Sequence, residues 1–327
     1  MDNFTIIKKL GEGAFGIVYK VRRKTDKRSY ALKKIHLRNM NKRQIEDGLN
    51  EVRLLASLKH KHIIKFYEAF PSGNYKYNFK LCIVMECARG GDLAMEIKKY
   101  KRLRMSIPEH RIWTYIKQIS DALKFLHENG ILHRDIKAAN CFLTSHGVIK
   151  IGDMSISKIV KHGELARTRI GTPYYMSPEI WSYRAYGPKS DVWSCGCLFY
   201  ELAALTVPFT GYNTFELARK IKTGKYIKFP NRIYKAQLWN FIQSMLYVRP
   251  SLRPSMRHIH TISSKYVRST SPVNIPEEAN LLRTIKMTPR VEQLTNVMPV
   301  TRYHRIKRKR SGLDIINESN IRLPRIS

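Results

Sequence analysis

His133-Arg134-Asp135-Ile136-Lys137-Ala138-Ala139-Asn140, followed thirteen residues later by Asp153-Met154-Ser155, decides how this chain is read. Moving a phosphoryl group from a metal nucleotide to a hydroxyl needs one carboxylate to orient the hydroxyl. A second carboxylate and an amide must hold the metal ions that neutralise the phosphates. Asp135, Asp153 and Asn140 supply those three groups, and Lys137 supplies a cation to steady the transferring charge.

Upstream, Gly11-Glu12-Gly13-Ala14-Phe15-Gly16-Ile17-Val18 reads G-x-G-x-x-G-x-V. Glycines let backbone N–H groups approach phosphate with no Cβ in the way, both in dinucleotide folds and in hairpins. Ile17-Val18-Tyr19-Lys20 continues as a strand and opens no helix, which favours a hairpin over phosphate. Lys33, in Tyr30-Ala31-Leu32-Lys33, and Glu51 are each ordinary surface charges when taken alone. Their joint spacing from the glycines gives them meaning.

Apolar residues alternate around glycines from Phe4 to about Tyr30, the pattern of a twisted antiparallel hairpin. Ile45, Leu49, Val52, Leu55 and Leu58 then recur at helical spacing over residues 43–58, and apolar runs at Ile63-Phe70 and Leu81-Met85 return to strand. After Gly90-Gly91-Asp92 the chain reads as helical, with Ile112-Leu126 the clearest amphipathic helix and Gly130 closing it. Beyond about residue 264 polar, proline and basic residues are scattered, as in Arg305-Ile306-Lys307-Arg308-Lys309-Arg310, the composition of a disordered tail.

In this order the motifs resemble eukaryotic protein kinases over residues 4–262. The resemblance implies an α+β, two-lobed protein-kinase fold with a small β-rich N-lobe (4–87) carrying one key helix, a larger α-helical C-lobe (88–262) and a basic tail (263–327). By it, Lys33 contacts the nucleotide phosphates and Glu51 fixes its ammonium, Asp135 and Lys137 are catalytic, and Asn140 and Asp153 hold Mg2+. ATP would lie against Leu10, Gly11, Glu12, Gly13, Ala14, Phe15, Gly16, Ile17, Val18, Ala31 and Lys33. Met85, Glu86, Ala88 and Phe142 would complete its site, Met85 as gatekeeper with the backbone of Glu86 and Ala88 on adenine.

Lys137 and Gly171-Thr172-Pro173-Tyr174-Tyr175-Met176-Ser177-Pro178-Glu179 are similar to Ser/Thr-specific kinases. Val84-Met85-Glu86 with Gly90-Gly91-Asp92-Leu93, and the stretch from Thr168, are similar to the NIMA-related branch. The resemblance makes Thr168 the activation-loop phosphosite, pairs Glu179 with Arg253 as a buried structural ion pair, and has Asp191 anchor the catalytic-loop backbone. Met154 and Ser155 depart from the family's Phe and Gly. Met keeps the bulk, while Ser adds a Cβ where the loop flips, so altered switching is expected and Mg2+ binding is kept. The alternative is a pseudokinase or scaffold that acts through its basic surface and tail.

Sixty Lys and Arg against 25 Asp and Glu give a formal charge of +35, most of it ahead of the tail. Such a field favours acidic partners, cytoskeletal or nucleic acid, beside the protein substrates that the resemblance implies. The five cysteines form no C-x-x-C pair, which argues against a disulfide framework and a zinc site. No run of about 18 apolar residues occurs, so no membrane span is expected. A cytoplasmic protein is expected, with the basic run at Tyr303 to Arg310 a candidate nuclear or cytoskeletal address.

Overall fold

Period-two alternation from Phe4 onward builds the first unit. The computed structural model describes residues 3–13, 16–36, 52–53, 56–72, 80–152, 173–228 and 233–267. Strand β1 (Phe4–Gly13) pairs antiparallel with β2 (Gly16–Arg23), and β2 with β3 (Ser29–His36). With β4 (Phe66–Ser72) and β5 (Lys80–Glu86) they form a five-stranded sheet in the order β1-β2-β3-β5-β4. One face of it buries Phe4, Val21, Tyr30, Leu32, Cys82 and Val84 as the core of this unit.

Successive side chains point to opposite faces of a strand, so Ala31 and Lys33 take the face opposite Tyr30 and Leu32. The register Val18↔Lys33 puts Val18 on that same face. Of the helix expected over 43–58, residues 52–53 and 56–57 are helical, with Val52, Ala56 and Leu58 buried. The rest of that helix, Glu51 included, lies outside the described residues.

Contacts divide the chain between Met85 and Glu86 rather than between 87 and 88, and they assign Leu58–Lys65 to the helical unit. The apolar run from Ile63 therefore only partly continues as strand. Ile63 bridges Ile151 in parallel, Ile64 N–H donates to the Ile151 carbonyl at 2.9 Å, and Ile151 N–H to the His62 carbonyl at 2.8 Å. Glu86 N–H donates to the Lys65 carbonyl at 2.8 Å. Ile63 and Ile64 are thus tied to Ile151.

The second unit holds helices α1 (Leu93–Arg102), α2 (Glu109–Glu128), α3 (Pro178–Trp181) and α4 (Pro188–Ala204), followed by α5 (Thr214–Thr223), α6 (Ala236–Met245) and α7 (Met256–Tyr266). A two-stranded sheet joins β6 (Cys141–Leu143) to β7 (Ile149–Ile151). Helix α2 runs past both expected ends and stops where Gly130 takes φ +71°, a left-handed value that suits glycine. Helix α4 is buried almost all round, from Ser190 to Ala203, as a central helix must be. Helix α7 extends four residues beyond the boundary expected at 262, because Tyr266 stacks on Trp113 of α2 with ring centroids 4.4 Å apart. Residues 268–327, which hold most of the basic tail, lie outside the described residues. Among the described residues no helix is long and apolar enough to cross a membrane, and the five cysteines form no disulfide.

Candidate active site

In the second unit the loop 133–140 gathers Asp135, Lys137 and Asn140. Lys137 Nζ lies 2.8 Å from Asp135 Oδ2, and Asn140 Nδ2 donates to that same oxygen at 2.9 Å. Asn140 Nδ2 also donates to the Asp135 carbonyl at 2.8 Å. Residues 138–140 form a single 3-10 turn, which curls the chain so that the amide reaches back five positions. Two donors on one oxygen fix the carboxylate's rotation, as a group that must orient a hydroxyl requires.

Below the loop, Asp191 in the first turn of α4 is fully buried. Its carboxylate accepts the backbone N–H groups of His133 and Arg134, each at 3.0 Å, the Tyr186 hydroxyl at 2.5 Å and His127 Nε2–H at 2.8 Å. Burial works against its ionisation. The His127 hydrogen bond and charge, then His133 and Tyr186, outweigh that and hold its pKa below the usual carboxylate value. Arg134 has φ +67°, a left-handed conformation that costs a non-glycine residue about 1 kcal/mol or more. The Asp191 bond to its N–H holds that strained peptide in place. Asp191 therefore anchors this loop as the family pattern implies. The two further anchors, His127 and Tyr186, were not foreseen from the sequence.

The Glu179–Arg253 pair also forms. Arg253 donates from Nη1 and Nη2 to the two Glu179 carboxylate oxygens, each at 2.8 Å, and its other donors reach the carbonyls of Lys189, Tyr247 and Val248. With Ser190 Oγ on Glu179 at 2.6 Å, this buried pair has the full complement of partners that makes such a pair tolerable. The loop that enters α3 is tied down in turn: Tyr175 hydroxyl donates to Glu201, and Ser194 Oγ to the Tyr175 carbonyl at 2.9 Å.

Gly152 is the last described residue before Asp153. Its N–H donates to the Asn140 carbonyl at 3.1 Å, which ties the start of the second motif to the first. A Cβ there would lie 2.8 Å from Ile64 Cγ1 and 3.0 Å from the Phe142 ring, so the position admits only glycine without a shift. That requirement was also missed, although a glycine directly ahead of Asp153 was its signal. Asp153, Met154, Ser155, Thr168 and Thr172 lie outside the described residues.

In the first unit, Gly13 and Gly16 close the β1–β2 hairpin as a Cα pair, and Ala14 and Phe15 between them lie outside the described residues. Gly16 has φ +150°, and a Cβ built on it would lie 1.9 Å from the Lys34 carbonyl oxygen. The third glycine of the motif is thus required by the neighbouring strand. A Cβ on Gly11 would meet nothing within 4 Å among the described residues, so β2 and β3 do not explain that glycine. Leu10 is exposed, Ile17, Val18, Ala31 and Lys33 are half-buried, and Lys9 pairs with Glu12. Met85 belongs to this unit, and Glu86, Ala88 and Phe142 to the other. The Glu86 carboxylate lies 2.9 Å from Lys150 Nζ and accepts Lys65 N–H at 3.1 Å.

The model of the protein kinase domain family matches residues 4–267. The chain is 40% identical over 262 residues to a probable serine/threonine-protein kinase nek2 of Dictyostelium discoideum, covering 79% of this chain and 62% of that protein. It is 40% identical over 251 residues to the mouse serine/threonine-protein kinase Nek4, covering 76% and 31%. Over 311 residues it is 35% identical to the mouse serine/threonine-protein kinase Nek2, covering 89% and 69%. The chain belongs to the protein kinase family, in its NIMA-related branch. It spans less than two thirds of the length of the first two of these kinases.

Protein kinases use ATP and as a rule Mg2+, and Asn140 suits that ion. With its amide nitrogen donating to Asp135, Asn140 keeps its side-chain carbonyl oxygen for a cation, and oxygen is the donor a hard divalent cation prefers.

Proposed function

We propose that this chain is a Ser/Thr protein kinase that transfers the γ-phosphoryl group of ATP to serine and threonine hydroxyls of proteins. The carrying observation is the Asp135 carboxylate, held by Lys137 and Asn140 on a loop whose backbone hangs from a buried, ionised Asp191. In this reading Asp135 accepts the hydroxyl proton, Lys137 steadies the charge on the transferring group, and Asn140 with Asp153 holds Mg2+. Bound MgATP supplies the phosphoryl group and the metal's neutralising charge. Lys33, fixed by Glu51, takes the nucleotide phosphates under the glycine hairpin. Adenine lies against Val18, Ala31 and Phe142, with the carbonyl of Glu86 and the backbone of Ala88 as its polar partners. Thr168 is the phosphosite that orders the activation loop.

The basic surface and the tail from residue 263 onward are assigned to acidic partners, cytoskeletal or nucleic acid, in a cytoplasmic protein with access to the nucleus or cytoskeleton. Support for this is the formal charge of +35.

A radiolabel transfer assay with MgATP and a peptide library tests the enzyme reading on wild type, Asp135→Asn and Ser155→Gly. Wild type labels Ser or Thr peptides, and Asp135→Asn loses at least about 100-fold, the usual share of a positioned base. Ser155→Gly keeps activity and shifts its dependence on Thr168 phosphorylation. Equal background in all three proteins would overturn the proposal.

A further inference from the structure

Helix α1 ends in Lys98-Lys99-Tyr100-Lys101-Arg102-Leu103-Arg104-Met105, five cations in seven positions, all exposed. The three acidic residues nearest in sequence are already engaged, Glu109 by accepting Trp113 Nε1–H at 3.2 Å and Lys235 N–H at 3.0 Å. Asp92 caps the helix by accepting Met95 N–H at 2.8 Å, and Glu96 pairs with Arg111 at 3.0 Å and accepts the Tyr115 hydroxyl at 2.8 Å. Among the described residues none of the five cations has a carboxylate within ion-pair distance.

Complementing the helix dipole accounts for cations in the last turn, Lys99, Lys101 and Arg102. It does not account for Arg104. This residue sits at φ +51°, in a helix-terminating turn where Arg104 N–H donates to the Lys101 carbonyl and Met105 N–H to the Tyr100 carbonyl. Glycine fits that conformation without strain, and the chain keeps a charged side chain there instead. Leu103 and Met105, beside it, are 49% and 57% exposed. The patch thus interleaves cations with apolar side chains.

Its position bears on the candidate active site within the same unit. Helix α1 packs against the 3-10 turn of residues 138–140. Lys101 acts electrostatically on Glu201, the carboxylate that accepts the Tyr175 hydroxyl from the loop leading into α3. We propose that the end of α1 and the turn after it form a docking patch for an acidic segment of the protein substrate. This assignment rests on the kinase reading above. It favours a peptide over nucleic acid, because the exposed apolar side chains beside the cations are Leu103 and Met105, and Tyr100 is half-buried, so no exposed aromatic platform is offered to a base.

Two peptides that share one phosphoacceptor core, flanked by glutamates in one and glutamines in the other, separate the possibilities. They are assayed on wild type, on Lys98→Gln/Lys99→Gln/Arg102→Gln, and on a charge-matched control, Lys222→Gln/Lys225→Gln/Lys228→Gln, whose lysines are exposed on α5 and after it. The acidic peptide has the lower KM on wild type. The patch variant raises that KM by about tenfold at low salt, leaving kcat and the glutamine peptide unchanged, and the control moves it by no more than about twofold. The difference collapses at about 0.5 M salt, where screening acts within about 4 Å.

Phosphorylation of both peptides with equal KM on wild type would overturn the docking patch and leave the kinase reading intact. If neither peptide is phosphorylated, the kinase reading fails. Fluorescence anisotropy of the labelled acidic peptide then decides the patch, since equal binding to wild type and patch variant would overturn it. A short DNA duplex that binds wild type but not the patch variant, with no effect of acidic flanks on KM, would reassign the surface to nucleic acid and overturn the proposal.

Discussion

The glycine hairpin of β1 and β2 and the loop 133–140 both present backbone to phosphate chemistry, but they are held in different ways. The hairpin hangs on its own ladder: paired strands and Gly16 packed onto the Lys34 carbonyl, with Ile6, Ile7 and Leu10 exposed at 43–46%. The loop has almost no ladder, and its backbone N–H groups go to a buried side-chain carboxylate 57 and 58 positions further along the chain. A ladder is local and tolerates changes in exposed side chains. A buried carboxylate concentrates the same duty in one residue, and in the three elements that must pack correctly to surround it.

The largest effect therefore belongs to Asp191→Ala. The substitution leaves two loop N–H groups, His127 and the Tyr186 hydroxyl without their shared acceptor in a dry interior. Losing one partner of a buried charged network costs about 3–5 kcal/mol. Urea unfolding of the variant should show that loss, with faster amide exchange at residues 133–140 and little change in β1–β3. A loss below about 1 kcal/mol would show that the loop is held by something other than Asp191, and the contrast with the hairpin would fall.

How far each region is legible in sequence follows the same division. Asp135, Lys137, Asn140, Asp191 and the Glu179–Arg253 pair come at fixed positions in short motifs, so their contacts could be expected before any coordinates. The hairpin was legible through alternation and the strand that continues past Gly16. His127 and Tyr186 were not, because a lone histidine near the end of α2 and a lone tyrosine before α4 carry no local pattern. They find Asp191 only through helix packing. The run at Ile63-Ile64-Lys65 misled for a related reason. Its apolar residues suit a strand, but Ile63 bridges Ile151, 88 positions further on, and no local signal reports a partner that far along the chain.

Gly16→Ala probes the hairpin side with a smaller effect. The added methyl must move the Lys34 carbonyl or open the β2–β3 pairing, at a cost of about 1–3 kcal/mol. Amide exchange should rise in β1, β2 and β3, with the second unit unchanged. Gly11→Ala, with no neighbour within 4 Å among the described residues, should leave stability within about 1 kcal/mol and instead weaken ATP binding, measured by titration. If both substitutions destabilise equally, the first glycine is structural, and the assignment of that glycine to the nucleotide fails.

The smallest effect concerns acid. His62 lies in the segment Leu58–Lys65, 7% exposed, with Nδ1 2.9 Å from the Ile149 carbonyl, which selects the neutral ring with its proton on Nδ1. Burial is the main cause pushing its pKa down to about 4, against the opposing pull of that hydrogen bond. The unfolded chain takes up the proton near pH 6.5 and the folded one only near 4, so stability is intact above about 6.5 and is lost as pH falls from there toward 4. Between about pH 7 and about pH 5.5 the loss from this one ring is about 1 kcal/mol. His62→Gln keeps a donor for the carbonyl and removes the titration. Urea unfolding at the two pH values should show wild type losing about 1 kcal/mol more than the variant. Among the described residues of the first unit no group has a pKa shifted into this range, so the loss should appear as faster exchange in β7 and its neighbours and not in the hairpin. An equal loss in wild type and His62→Gln would mean that the ring is not held neutral, and the segment's attachment to β7 would have to rest on its backbone bonds alone.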